Sequence, residues 1–451
     1  MEPLVKQDLN TTVPAVKKSN LRAIRSSFLH FLNDPSKVDD SAQAYQYIED
    51  GLMVIENGKI QSLQVFNEQA ASLYSHVEDK RGQLIMPGFI DTHIHYPQTE
   101  MIASYGEQLL EWLETYTFPT EKQFLDKDYA QKISQFFINE LLKNGTTSAL
   151  VYGTVHPESV DALFEQAQKV DMRLIAGKVM MDRNAPDDLL DTAQSSYHDS
   201  KMLIEKWHNN GRLQYAITPR FAPTSTPEQL TLAGKLKSEY PDVYVQTHLS
   251  ENKDEIEWVK SLYPERAGYF DVYEHYGLTG SKSIFGHSIH LTEEEWASFT
   301  RTESVISFCP TSNLFLGSGL FDLNKAEKNN IRVGVGTDVG AGTSFSQLSS
   351  LNEAYKIMQL QGKKLSPFKG FYLATLGGAE SLSLEDKIGN FEAGKEADFV
   401  VLNWAATELQ TLRYKETASL EDKLFALMML GDDRNIHSTY VAGKLVYTAK
   451  A

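Results

Sequence analysis

The sequence predicts an α/β fold: a TIM-like (β/α)8 barrel with a small β-sandwich domain built from both chain ends. Three observations lead there. Eight short apolar runs alternate with amphipathic helical stretches between residues 87 and 393, the pattern of βα units around a parallel sheet. Residues 21–86 hold β-like runs without a long helical period, and residues 394–451 return to β character, so the two ends can share one domain. The unusual polar residues fall at the C-terminal ends of five of the eight runs, the rim where such a barrel carries its chemistry.

Residues 1–20 are polar, with little periodicity, and read as a loosely held tail. The first β-like runs are Arg22 to Leu32, Gly51 to Ile55 and Lys59 to Val65, interrupted by a polar loop at Asn33 to Gln43. The barrel strands are expected at Gly88 to His95, Thr147 to Gly153, Arg173 to Met181, Leu213 to Phe221, Val243 to Leu249, Ser283 to Leu291, Ser304 to Cys309 and Arg332 to Thr337. Helical spacing separates them, for example at Lys132 to Leu142 and Glu228 to Glu239. From residue 394 onward, Ala397 to Leu402 and Ser438 to Val446 supply the returning strands.

Composition narrows the function. The 451 residues are 41% hydrophobic and 23% charged, as in ordinary soluble globular chains. A net charge of -17 argues against a nucleic-acid partner, which needs clustered Lys and Arg, and favours a small-molecule substrate. One cysteine, Cys309, rules out a disulfide framework and points to a reducing compartment. It also excludes the zinc deaminase fold whose metal is held by a His and a Cys-x-x-Cys pair. No apolar run is long enough to span a bilayer and the start lacks a secretory pattern, so the expectation is a cytoplasmic protein without a membrane partner.

The candidate site begins with His93 and His95, which at i and i+2 in a strand face the same side and can both ligate a metal. His248 ends the fifth strand and Asp338 follows the eighth, giving three nitrogens and a carboxylate, enough for one zinc with a position left for water. Glu251, three residues past His248, can shuttle protons beside such a metal. His287 can orient water and stabilise a developing oxyanion, while His290 is expected on the opposite face of the same strand as a structural residue. Arg220 and Phe221 end the fourth strand, where an Arg can donate to a ring carbonyl and a Phe can pack a flat ring. The alternative for that pair is an ion-paired Arg and a core Phe. Gln98 offers a donor and an acceptor to an amide-like ring edge. Tyr105 to Phe118 has helical apolar spacing suited to core packing or to covering the mouth, and Cys309 reads as a small buried apolar residue without chemistry.

These residues resemble the amidohydrolase superfamily. The likeness rests on Pro87-Gly88-Phe89-Ile90-Asp91-Thr92-His93-Ile94-His95, on Asn144-Gly145-Thr146-Thr147 and on Gly394-Lys395-Glu396-Ala397-Asp398-Phe399-Val400-Val401-Leu402, and it covers nearly everything from Leu21 onward. A narrower likeness within it rests on His95-Tyr96-Pro97-Gln98, Tyr105 to Leu113, Pro219-Arg220-Phe221-Ala222-Pro223-Thr224 and Thr247-His248-Leu249-Ser250-Glu251. The resemblance implies one zinc ion per subunit on His93, His95, His248 and Asp338, with Glu251, His287 and Asp338 catalytic. It also implies Gln98, Arg220, Phe221 and His248 against the substrate. Arg220 stands where binuclear relatives carry a bridging Lys or Glu, which disfavours a second metal. The implied activity is hydrolytic deamination of guanine to xanthine and ammonia in purine breakdown, by zinc hydroxide attacking C2 with Glu251 as shuttle, in a cytoplasmic homodimer. Two alternatives stay open: a sister amidohydrolase acting on a triazine or another purine, and a metal-free scaffold.

Overall fold

The computed structural model describes residues 21–106 and 108–450; the tail expected over residues 1–20 lies outside them. Among the described residues sixteen strands form two sheets. In chain order they are β1 (Leu21–Phe31), β2 (Tyr45–Glu56), β3 (Lys59–Val65), β4 (Val77–Pro87), β5 (Phe89–His95), β6 (Thr146–Tyr152), β7 (Arg173–Gly177), β8 (Val179–Met180), β9 (Leu213–Pro219), β10 (Tyr244–Leu249), β11 (Ser283–His287), β12 (Val305–Phe308), β13 (Val333–Val335), β14 (Phe399–Asn403), β15 (Ile436–Val441) and β16 (Lys444–Thr448).

Eight of them, β5, β6, β7, β9, β10, β11, β12 and β13, pair in parallel in that order. Strand β5 also bonds to the exit of β13, through Asp338 N–H to His93 O at 2.9 Å and His95 N–H to Val339 O at 2.8 Å. These bonds bring the first and last strands together and leave a nearly closed barrel. Its strands are buried on both faces, as helices packed outside a parallel sheet require. The helices expected at Lys132 to Leu142 and Glu228 to Glu239 run over Lys127–Lys143 and Pro227–Glu239, the first capped by the Asp126 side chain and the second by Thr226 with Pro at its first turn.

The small domain is one continuous, mainly antiparallel sheet in the order β16-β15-β14-β4-β1-β2-β3, so strands from both chain ends do share it. Its single parallel pair is β1 with β4. Alternation divides its side chains: Leu84, Met86, Val400 and Leu402 join the barrel's core, while Ile85, Phe399 and Val401 join Ile24, Phe28 and Met53 in a core of the domain's own. The two domains meet at Gly88, where a Cβ would lie 2.1 Å from Thr147 Oγ1, so only glycine fits between β4 and β5.

Outside the barrel, Ser438 to Val446 is divided into the hairpin of β15 and β16; within it, two strands differ most from expectation. Arg173 to Met181 is split into β7 and β8, which both pair with β9, around a buried Lys178 whose ammonium is paired with Asp191 at 2.5 Å. The sixth barrel strand stops at His287, because that residue and Ser288 take left-handed backbone angles, φ 66° and 52°, that a strand cannot continue. His290 therefore lies in the following loop, not on the opposite face of the strand, and its Nε2 bonds to Ser318 O at 2.8 Å. Among the described residues no helix is long and apolar enough to cross a membrane.

Candidate active site and metal centre

The barrel rim brings the sequence-predicted residues together. His93 and His95 come from β5, Arg220 and Phe221 follow β9, and His248 and Glu251 flank the end of β10. His287 ends β11, and Asp338 lies three residues past β13. With Gln98 in the 3-10 turn Tyr96–Met101, most of them line one cavity whose apolar wall is Leu109, Trp112, Leu113 and Ala341. Several of the strand ends are sharply turned. Asp338 and Ser250 join His287 with positive φ, 54° and 49°, and such backbone costs about 1–3 kcal/mol each, tolerated where it aims a functional group.

Four donor atoms converge. His95 Nε2 is 3.2 Å from His248 Nε2 and 3.4 Å from Asp338 Oδ1, and His93 Nε2 is 3.3 Å from the same carboxylate oxygen. His248 Nδ1 donates to Arg220 O at 2.7 Å, which in the neutral ring leaves its Nε2 as a lone pair aimed at the cluster. His93 Nε2 and His95 Nδ1 are buried without a hydrogen-bond partner. Burial lowers the pKa of His93, His95 and His248, favouring the neutral, ligating form. For Asp338, burial acts upward but the surrounding histidines outweigh it and hold the carboxyl at about 2. A tetrahedral ion with bonds of about 2.0–2.1 Å separates its donors by about 3.3 Å, close to the separations here, so these residues fit a small divalent metal.

Cys309 Sγ also lies within 4.8 Å of donor atoms on His93, His287 and Asp338. Burial pushes its thiol well up, and its Sγ donates to Ser307 O at 3.6 Å. It stays a protonated, apolar neighbour, in keeping with the sequence reading.

Beside the donors, Glu251 Oε2 stands 3.4 Å from His287 Nε2 and its Oε1 accepts from Ser318 Oγ at 3.0 Å. Burial raises the Glu251 carboxyl to about 7, the range in which a carboxyl can both give and take a proton near neutrality. His287 is opposed by burial, but Glu251 and Asp338 outweigh it and raise it overall. Its Nδ1 is held 2.9 Å from Asn313 Oδ1, which fixes the ring.

Arg220 takes the ion-paired alternative. Its guanidinium is paired with Glu121 by two bonds, Nη1 to Oε2 at 2.7 Å and Nη2 to Oε1 at 3.0 Å, and both side chains are buried. Gln98 Nε2 donates to the same Glu121 Oε1 at 3.1 Å, and Gln98 Oε1 accepts from Gly340 N–H at 3.2 Å. Arg220 is thus ion-paired, and it also lines the cavity. Phe221 likewise packs in the roof cluster with Leu113 and Phe118 while lining the cavity. Sequence reasoning missed Glu121, Asn313 and Ser318. Asn313 stood in the Cys309 to Asn313 segment after the seventh strand, where position alone nominates it, whereas Glu121 sits on a short helix with no local signal.

The amidohydrolase family pattern matches residues 84–446, spanning the barrel and the returning strands. The chain belongs to the amidohydrolase family. Within it, this amidohydrolase is 61% identical over 429 residues to guanine deaminase of Escherichia coli (strain K12), covering 95% of this chain and 98% of the relative. A solved structure of E. coli guanine deaminase superposes with a TM-score of 0.93 at 60% identity, covering 95% of this chain and all of that one. Guanine deaminase from C. acetobutylicum, solved with bound guanine in the active site, superposes with a TM-score of 0.87 at 34% identity and the same coverage. The Homo sapiens guanine deaminase is 36% identical over 379 residues, covering 81% of this amidohydrolase and 83% of its own length.

Proposed function

We propose that this amidohydrolase catalyses the hydrolytic deamination of guanine to xanthine and ammonia, with one zinc ion held by His93, His95, His248 and Asp338. The observation that carries the reading is that one cavity is lined both by His95, His248, Asp338 and the Glu251 carboxyl of raised pKa and by Gln98 and Arg220, which Glu121 holds together. Similarity to guanine deaminases along nearly the whole chain supports the same substrate.

Zinc, when bound, lowers the pKa of a coordinated water from about 15.7 to about 7 and so makes a nucleophile available at neutral pH. The protein does the rest. Arg220 donates to O6 of the ring and Gln98 reads the neighbouring N1 edge, while Phe221 and Trp112 hold the ring plane. This places C2 and its amine toward the metal cluster. Glu251 takes the proton that water gives up on attacking C2 and delivers it to N3; it then takes the remaining proton of the new C2 hydroxyl and delivers it to the amine, so that the C2–N bond breaks, C2 becomes a carbonyl and ammonia leaves as the neutral product. His287, held by Asn313, donates toward the developing oxyanion at C2. Leu109, Leu113 and Trp112 keep bulk water out, which strengthens these charge interactions.

Discrimination against adenine takes a different form from that of a lone buried charge. Because Arg220 is neutralised by Glu121, the penalty for a ring without O6 is that of donors left unmade, about 1–3 kcal/mol per group, not of an uncompensated ion.

The test is ultraviolet absorbance of purified, zinc-loaded protein with guanine, adenine and a triazine, alongside the Glu251→Gln variant. Guanine conversion to xanthine that vanishes in the variant is the expected result. Turnover of another ring with guanine untouched would leave the metal site standing and remove the assigned substrate.

A further inference from the structure

We infer that Glu121 is a positioning residue that fixes which edge of a purine the cavity accepts; the inference rests on the guanine reading above. A glutamine can in principle turn its amide over and present either pattern of donor and acceptor to a ring. Gln98 is held against doing so from both ends. Gly340 N–H can only donate, and it takes Gln98 Oε1 at 3.2 Å; the Glu121 carboxylate of the ion pair only accepts, and it takes Gln98 Nε2 at 3.1 Å. A turned amide would set oxygen against carboxylate and nitrogen against N–H, so one orientation survives.

The same carboxylate aligns the second reader. Its two bonds to Arg220 Nη1 and Nη2 hold the guanidinium plane and leave the remaining N–H groups for a ligand acceptor. One buried acidic residue, 1% exposed, thereby sets the polarity of both Gln98 and Arg220 without being counted among the cavity-lining residues. The resulting wall offers a pure donor at one position and a fixed amide beside it. Guanine presents an acceptor at O6 and a donor at N1; a ring with a 6-amino group and an unprotonated N1 presents the reverse.

The experiment compares two substrates with the same leaving group. 2,6-Diaminopurine carries the 2-amino group of guanine but the reversed edge, so the ratio of the two kcat/KM values reads edge recognition alone. In zinc-loaded Glu121→Gln, kcat/KM for guanine falls by about tenfold or more, mainly through KM, and the guanine to diaminopurine ratio falls by at least about tenfold, because the turned amide is now tolerated. Zinc content stays at the wild-type level. Glu121→Asp guards against a fold defect: it keeps the charge opposite Arg220 but is one methylene too short to hold both Arg220 and Gln98, and its ratio falls in the same direction. A folded, fully metallated variant that slows on both substrates alike, with the ratio unchanged, overturns the inference. Wild-type protein inactive on guanine overturns the functional reading beneath it, and this inference with it.

Discussion

At the level of single residues, the role proposed for Glu251 separates chemistry from binding. Its carboxyl, raised by burial to about 7, lies beside His287 and Ser318 and outside the four-donor set. Glu251→Gln keeps the shape and the Ser318 contact but cannot carry a proton. The expected result is a loss of kcat of about a thousandfold or more with zinc content unchanged, since a positioned acid–base group contributes about 10²–10⁴ and this one serves several transfers. Metal analysis and steady-state rates on one preparation decide it; a variant that loses zinc in proportion to activity would make Glu251 a ligand instead. Arg220→Lys tests the opposite wall. A lysine cannot make the paired bonds to Glu121 and still point donors at a ring, so KM for guanine rises by about 10–100-fold while kcat changes little. An unaltered KM would show that the guanidinium serves only the ion pair.

Secondary-structure elements decide how the cavity is closed and how it is supported. The stretch from Leu109 to Leu125 is a chain of short pieces: an α-helical turn Leu109–Trp112, a π turn Leu113–Thr117, an α-helical turn Phe118–Glu121 and a 3-10 turn Lys122–Leu125. The wide turn lets Trp112 and Leu113 face the cavity while Glu121, further on, returns beneath Arg220. Trp112→Ala therefore opens the roof, and guanine KM is expected to rise at least about tenfold, with about 3–5 kcal/mol lost from unfolding free energy. Binding titrations and denaturant melts measure the two effects separately. Helix Pro227–Glu239 supplies a pH-dependent term. Lys237 Nζ is buried against Thr279 O and Ser283 Oγ, and desolvation lowers it to about 8. An unfolded lysine titrates near 10.4, so between about pH 8 and pH 10.4 the unfolded chain holds the extra proton and stability gains with rising pH. Below pH 8 the folded state carries the buried charge and that gain is absent. Relative to Lys237→Met, wild-type protein should gain on the order of 3 kcal/mol between pH 7.5 and 10.5 in urea unfolding. A constant difference across that range refutes the desolvation argument.

This is also the scale at which the sequence was most and least informative. Strand ends were legible because each barrel strand is a short apolar run that gives way to polar residues at the rim, as at His95, which ends β5, and at His248, next to the last residue of β10. The stop at His287 was hidden, since left-handed angles at His287 and Ser288 leave no mark in residue type, and apolar alternation carries on to Leu291. Glu121 was hidden for another reason. Its partners, Gln98 and Arg220, are 23 and 99 positions away, and an acidic residue in Phe118-Pro119-Thr120-Glu121 looks like any solvated helix residue until the barrel closes over it. Local periodicity reports burial of apolar side chains, not burial of an ion pair assembled from distant segments.

Taken as a whole, the molecule keeps its two ends distinct, with the candidate site at the C-terminal rim and the attachment of the small sheet at the opposite one. Arg173, at the start of β7, and Arg212, just before β9, both reach Glu396 in the segment returning to the small sheet, Arg173 at 2.5 Å and Arg212 at 2.6 Å. Arg212 also pairs with Asp398, whose other oxygen accepts from Ala442 N–H at 2.7 Å. These charges are mostly buried, and breaking such a network by removing one partner typically costs about 3–5 kcal/mol, the lower end applying here because Asp398 still answers Arg212. Glu396→Ala should then lower the melting temperature by about 3 °C, because a chain of this length has a large unfolding entropy and converts each kcal/mol into only about one degree. Since Glu396 sits at the far end of the barrel strands from the metal donors, guanine KM and zinc content should be unaltered. Calorimetry with and without saturating zinc checks the coupling: the melting shift should be the same in both states if attachment and metal binding are independent. A shift that disappears with zinc bound would mean that the two rims communicate through the strands, and that the ion pairs beneath the barrel help to set the metal donors above it.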